Sequence, residues 1–282
     1  MSDYGRPIRF GYFLTPEAHP TRPLELAQLA DELGLDYVGV QDHPYQRRFH
    51  DTWTLMTAIA MRTERIAIFP DVACLPLRPP AMLAKAAATL DQLSGGRFEL
   101  GLGAGGFWDA IAAMDGPRRT PGESISALEE AIQVVRLMWS EQPAARFKGE
   151  FYQLAGVRPG PQPAHPMGIW LGVYKPRALG LVGRLADGWV PSLGYVAPDD
   201  LDAGNQRIDE AAQEAGRDPA AITRVLNVMD RPSPELLANL ALEHGMDTFL
   251  AAQGEEPETQ LREFAREIVP RTRELVEAGR RQ

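Results

Sequence analysis

A closed (β/α)8 barrel, the TIM-barrel class of α/β fold, is what this chain predicts, and three observations carry the prediction. Short apolar runs alternate with helical patterns from residue 8 onward. Eight such runs occur, each leading into a helical stretch. The length of 282 residues suits a barrel of ~250 residues plus an insertion. Strict β–α alternation forces parallel strands, because each return needs a crossover. Eight units fit a closed barrel better than an open doubly wound sheet, which usually has about five or six strands.

The elements follow in order. IRFGYFL (8–14) is an apolar run closed by Thr15-Pro16. A helix follows with Leu26, Leu29, Ala30 and Leu33 on one face, and Gly34 supplies a left-handed cap. YVGV (37–40) is the second strand, residues 52–62 the second helix, and RIAIF (65–69) the third strand. A helix over about 80–93 leads to RFELGLG (97–103), the fourth strand. The next helix, 120–139, has a capping box of Thr120 and Glu123, with Pro121 at its first position. Residues 141–168 carry five prolines and several glycines, so they read as an excursion over the surface between strands four and five. Alternation resumes with IWLGV (169–173), a helix from Pro176, GWVPSL (188–193) and a helix near 199–215. RVLNVM (224–229), a helix near 234–244, DTFLA (247–251) and a last helix with Leu261, Phe264, Ala265 and Ile268 complete the count. No linker or internal repeat divides the chain, so residues 1–282 read as one domain.

Composition narrows the function classes. Hydrophobic residues at 44% and charged residues at 24% are globular averages that allow a sizeable core. The net charge is −9, and basic residues cluster only in pairs such as Arg47-Arg48 and Arg118-Arg119, which argues against nucleic acid as partner. One cysteine leaves no internal disulfide and no cysteine-rich metal site. MSDYGRPIRF lacks the apolar centre of a signal peptide, and nothing approaches the ~20 apolar residues of a membrane span. A cytoplasmic protein is expected.

In such barrels chemistry gathers at the C-terminal strand ends. Here those are Asp42-His43, Asp71 to Arg78, Gly101 to Asp109, Gly172 to Arg177, Ser192 and Asp230. DVACLPLRPP (71–80) is a strand continuation full of proline, which belongs at the end of a strand rather than in its middle. GLGAGG (101–106) matches a dinucleotide fingerprint, but a long helix intervenes where the acidic end of the next strand should stand. Its glycines read instead as a strand end passing close to something bulky, in the functional version a cofactor ring. His43 ends strand two, where a neutral imidazole can exchange hydrogen bonds or a proton with a ring or substrate. His19, His50, His165 and His244 lack metal-ligand spacing, and no Gly-x-Ser-x-Gly elbow occurs. Lys175-Pro176-Arg177 opens a helix whose free N–H groups suit a phosphate. Trp139 and Trp170 are expected in the core, and burial also suits Trp53.

Taken together, these stretches resemble the luciferase-like flavin-dependent oxidoreductases. The resemblance rests on DYVGVQDH (36–43), the long stretch 63–106 with Pro76, Arg78, Pro80 and DQLSGGR, ALEEAIQVVRLMW (127–139) and RLADGWVPS (184–192). It implies a (β/α)8 barrel that binds a reduced flavin, FMN or the deazaflavin coenzyme F420, at the strand ends. It also implies a non-proline cis peptide at Asp71–Val72, pressing on the back of the ring with Ala73 beside it. Asp42, Gly105, Gly106 and Asp109 would lie around the cofactor, and Gly172, Val173, Tyr174, Lys175 and Ser192 would hold its phosphate and tail. Asp42-His43 resembles the sugar-phosphate dehydrogenase branch. Arg47 and Gly106 stand where that branch has a tryptophan and a general acid, which argues against glucose 6-phosphate as substrate. The resemblance thus implies hydride transfer between reduced coenzyme F420 and a small organic substrate, with His43 as the catalytic residue. An FMN-dependent monooxygenase served by a separate flavin reductase is the alternative. A cofactor-free lyase or isomerase and a non-catalytic flavin-binding protein are readings from other classes. Members of the family often form homodimers.

Overall fold

Strand periodicity decides what fills the barrel, since alternate residues face opposite sides. The computed structural model describes residues 3–228 and 231–281, so Asp230 and the end of RVLNVM lie outside the described residues. The staves are β1 (Arg9–Leu14), β2 (Tyr37–Val40), β3 (Ala67–Pro70), β4 (Ala73–Cys74), β5 (Leu100–Gly103), β8 (Ile169–Leu171), β9 (Gly188–Trp189), β10 (Thr223–Val228) and β11 (Thr248–Ala252). All pair in parallel, in the order β3-β2-β1-β11-β10-β9-β8-β5-β4. The third stave is broken between β3 and β4, where the Asp71–Val72 peptide is cis. A bridge from Ile68 to Phe98 closes the ring. The eight expected staves are therefore present, with GWVPSL regularly paired only at Gly188–Trp189 before Pro191.

Helices α1 (Arg22–Glu32), α2 (Thr52–Ala60), α3 (Pro80–Ser94), α4 (Trp108–Ala113) and α5 (Pro121–Met138) lie among the first staves. The capping box of Thr120 and Glu123 is formed. Later come α6 (Pro176–Leu185), α7 (Pro198–Glu214), α8 (Pro234–Leu242), α9 (Pro257–Glu263) and α10 (Val269–Arg280), the last two joined by a π turn at Phe264–Ile268. Among the described residues, no helix is long and apolar enough to cross a membrane.

The excursion has regular structure of its own. Within it β6 (Ala145–Lys148) and β7 (Gln153–Val157) form an antiparallel hairpin. Its tip is held by Glu130 of α5, which accepts N–H bonds from Glu150, Phe151 and Tyr152. The strands are short and half-exposed, so their alternation is weak beside five prolines.

Inside the barrel, Tyr37, Phe69, Trp170, Val190, Val225 and Leu250 form an apolar plug. Its aromatic rings meet edge to face, Phe69 and Trp170 at 4.9 Å between centroids. Two residues further along these staves come Gly39, Asp71, Gly172, Ser192, Asn227 and Ala252. By the same alternation they sit directly above the plug, at the mouth.

Candidate active site at the strand ends

The floor of the mouth is built by the break in the third stave. Val72 projects over strands four and five, where only glycine leaves space for it. A Cβ on Gly103 or on Gly172 would stand 2.8 Å from Val72 Cγ2, and one on Gly101 2.1 Å from the Pro70 carbonyl oxygen. This corrects the expectation for GLGAGG: the bulk that its first two glycines pass is the protein's own Val72 and Pro70. Gly105, at φ +94°, is closed in by Pro76, whereas the space beside Gly106 is open.

Beside Val72 lies a polar chain. Asp71 is 7% exposed, and its Oδ1 accepts from Asn227 Nδ2 at 3.1 Å. The same Asn227 amide reaches Ser192 Oγ at 3.1 Å, with the Tyr174 phenol close to Ser192 on its far side. Among the described residues, Asp71 Oδ2 and Asn227 Oδ1 are buried with no partner. Burial pushes the Asp71 carboxyl up to about 7, and Asn227 offsets only part of that.

The rim carries the imidazole. His43 Nδ1 is 2.6 Å from the Tyr45 hydroxyl, and Phe107 meets the imidazole edge-on at 5.4 Å. Burial lowers the His43 pKa, against a smaller opposing effect of Asp42, so the ring is neutral at physiological pH. Burial raises the Tyr45 hydroxyl, which therefore keeps its proton. The other ring nitrogen of His43, Nε2, has no partner among the described residues.

His43 is held in place from behind. Asp42 is 2% exposed and accepts from Cys74 N and from Arg78 Nε and Nη2, each at 2.9 Å. Arg78 also reaches Asp51 Oδ2 at 2.7 Å and lies over the Trp53 ring. The rigid CLPLRPP segment thus ties the end of strand two to the start of α2. Asp51 caps that helix by accepting from Thr54 N.

The other expected residues divide by position. Tyr174 and Lys175 are exposed on the loop entering α6, while Val173 is buried and its carbonyl accepts from Trp189 Nε1. Ala73 is fully buried in the barrel wall. Arg177 is spent on α5, donating to Gly122 O and Ser126 Oγ. Lys175 has no side-chain bond among the described residues and precedes an α6 start without a side-chain cap. Asp109 turns to solvent, paired with Arg118. Tyr45, Phe107 and Asn227 escaped the sequence reading. Asn227 alone left a signal, a polar residue in the inward phase of an apolar strand.

The remaining histidines have structural partners. His165 lies between Asp91 and Glu99, His244 against Asp202, and His50 against the His19 carbonyl. Trp170 is core, as expected, and Trp139 is half-buried with Nε1 donating to Ala84 O.

Comparison with known proteins fits this architecture. A profile of the luciferase-like monooxygenase family matches residues 7–277. The chain is 30% identical over 242 residues to the F420-dependent glucose-6-phosphate dehydrogenase of Amycolatopsis mediterranei, covering 82% of this chain and 72% of that protein. It is 28% identical over 218 residues to the 5,10-methylenetetrahydromethanopterin reductase of Archaeoglobus fulgidus, covering 77% of this chain but only 62% of that one. Among solved structures, an F420-dependent secondary alcohol dehydrogenase superposes with a TM-score of 0.85 at 20% identity, covering 95% of this chain and 99% of the other. The coenzyme F420 dependent tetrahydromethanopterin reductase of Methanopyrus kandleri gives 0.80 at 18%, covering 94% and 99%. At such identities the two structures establish a shared fold.

Proposed function

The chain belongs to the luciferase-like monooxygenase family, and on that premise we propose that it is an oxidoreductase using coenzyme F420 with a small organic substrate. The observation that carries the reading is a neutral imidazole at the C-terminal strand ends, anchored by Tyr45 at Nδ1, with its Nε2 unpartnered among the described residues. In barrels of this kind that is the end where ligands meet the reacting groups. When bound, coenzyme F420 supplies the hydride chemistry, while the protein supplies binding, orientation and electrostatics.

Nε2 of the neutral His43 gives a proton to the reacting group of the substrate or takes one from it, while Tyr45 holds the ring at Nδ1. Asp42 and Arg78 position His43 without touching the ligand. Val72 and the glycines beneath it set the depth of the mouth. Lys175 and the free N–H groups at the α6 start are suited to the anionic phosphate and tail. Tyr45, Phe107, Tyr174 and Tyr195 offer aromatic faces that favour an apolar substrate body and exclude water.

Titration with coenzyme F420 and with FMN, followed by cofactor fluorescence, tests the reading. Tight binding of F420 and weak binding of FMN is expected; FMN binding alone would transfer the site to the flavin monooxygenase alternative. With F420 bound, His43→Ala should lower kcat about a hundredfold or more while leaving F420 affinity within about threefold.

A further inference from the structure

Among the described residues, the arginines withdrawn from solvent are, with one exception, neutralised or ringed by acceptors. Arg6, Arg78, Arg207, Arg217 and Arg224 each reach a carboxylate. Arg97 donates to the carbonyls of Ala60, Thr63, Ile66 and Ser94. Arg119, half-buried just before α5, has no carboxylate bond among the described residues. Its guanidinium lies 5.3 Å from the Phe151 ring centroid and 5.5 Å from that of Tyr152, both at the tip of the β6–β7 hairpin. Nη1 donates to the Tyr152 hydroxyl at 3.3 Å. A guanidinium carries several N–H donors, and aromatic faces hold it without removing its charge. The hairpin therefore fixes this cation but leaves it unneutralised.

Arg119 lines a cleft of about 370 Å3, together with Trp108, Arg118, Thr120 and Glu123. Arg118 brings a second cation, paired with the exposed Asp109. The Glu123 carboxylate is already taken up by Thr120, accepting from its N at 2.7 Å and its Oγ1 at 2.8 Å. The cleft adjoins the mouth. The Trp108 ring that lines it closes on Gly105 at the end of β5, 2.9 Å from where a Cβ would stand. On the other side, Arg177 ties the first turn of α5 to the start of α6, where Lys175 is exposed. On a chain of net charge −9, this corner is a local reversal of sign.

We propose that this cleft binds the outlying carboxylates of the coenzyme's tail, with the ring at the mouth and Trp108 as the divide that the tail crosses. The ligand class is a flexible chain of carboxylates, as in the oligoglutamate of coenzyme F420. Arg119 is the fixed contact. Arg118 is a second, recruited when a ligand carboxylate displaces Asp109. The excursion between the fourth and fifth staves gains a use by this, since its hairpin tip sets the direction of Arg119. The inference rests on the proposed coenzyme use and deepens it.

The test titrates the whole protein with two forms of coenzyme F420 that share ring and phosphate, one without glutamates and one with a long oligoglutamate tail. Cofactor fluorescence reports binding. At low salt the long-tailed form should bind the wild type about tenfold more tightly, as expected for a few exposed charge contacts. Salt at about 0.5 M should shrink that preference. Arg118→Gln combined with Arg119→Gln should abolish it, while the form without glutamates stays within about twofold of its wild-type affinity. Asp109→Asn, which releases Arg118, should widen it by about twofold. Equal affinity of the two forms for the wild type would overturn the inference, and so would a preference that survives in the double variant. Coenzyme binding, and the proposed function, stand in both cases. If the double variant loses both forms alike, the arginines serve the phosphate and the assignment to the tail is wrong. If neither form binds any of these proteins, the proposed coenzyme use fails, and this inference with it.

Discussion

The two ends of the barrel treat buried polar groups in opposite ways. At the N-terminal end Arg224 is fully buried and saturated: it donates to Asn205 Oδ1 at 2.7 Å, to Ile222 O at 2.8 Å and to Asp209 Oδ1 at 2.8 Å. Its guanidinium also lies over Tyr4 at 4.8 Å. Asp247 nearby accepts from Arg224 N and Arg6. At the C-terminal end, Asp71 Oδ2 and Asn227 Oδ1 are buried without a partner among the described residues. A cleft of about 400 Å3 lies at the saturated end among Tyr4, Asn205 and Asp209, yet several of its polar groups are already spent on one another. Unmet hydrogen-bonding capacity, rather than a cleft, sets the two ends apart.

The largest effect should come from breaking the saturated end. Arg224→Met strands Asp209 and Asn205, and a loss of about 3–5 kcal/mol in urea denaturation is expected, with F420 affinity unchanged in the folded fraction. Arg78→Met tests the latch behind His43. It leaves Asp42 buried without its cation, so about 3 kcal/mol should be lost, together with F420 turnover, because the segment after β2 that carries His43 is released. A stable Arg78→Met with full turnover would show that Asp42 is held by other means.

Asp71→Asn should act in the other direction. The carboxyl has a folded pKa of about 7 against a reference of 3.8. Its contribution is fully present below the reference value and is lost as pH rises from there through about 7. The asparagine variant should therefore gain on the wild type with rising pH, by roughly 4 kcal/mol at most near pH 8. Denaturation curves at several pH values would show whether the gap opens.

The smallest effect concerns His165. Burial lowers its pKa, but hydrogen bonds to Asp91 and Glu99 outweigh that and raise it. Burial also raises Glu99. Both favour the protonated form on folding, so the stabilisation from His165 is complete below about 6.5 and fades as pH rises through its folded value. His165→Gln should cost about 1 kcal/mol or less near pH 6, after allowance for solvent screening, and less again at alkaline pH. A loss that grows with pH would reverse the assignment.

Much of the frame was legible because it follows from local rules. The capping box at Thr120, the apolar staves and the proline-rich stop after Asp71 are written in neighbouring residues. His43 was found because a strand end announces itself. What surrounds it was not: Tyr45 and Phe107 reach the imidazole from separate loops whose paths no periodicity encodes. The glycines of GLGAGG show the limit most clearly. Their smallness signalled a close approach, but the approaching group is Val72, from a different stave. Asp109 was expected at the site and turns to solvent, since its direction depends on where the short α4 begins.

The wedge formed by Val72 in its bed of glycines has a practical consequence for redesign. Gly101, Gly103 and Gly172 belong to one steric unit with that valine, so enlarging any of them alone should cost the barrel before it changes selectivity. Trimming Val72 to alanine makes room without asking any neighbour to retreat. Libraries intended to admit bulkier molecules should begin at that valine and leave the three glycines untouched.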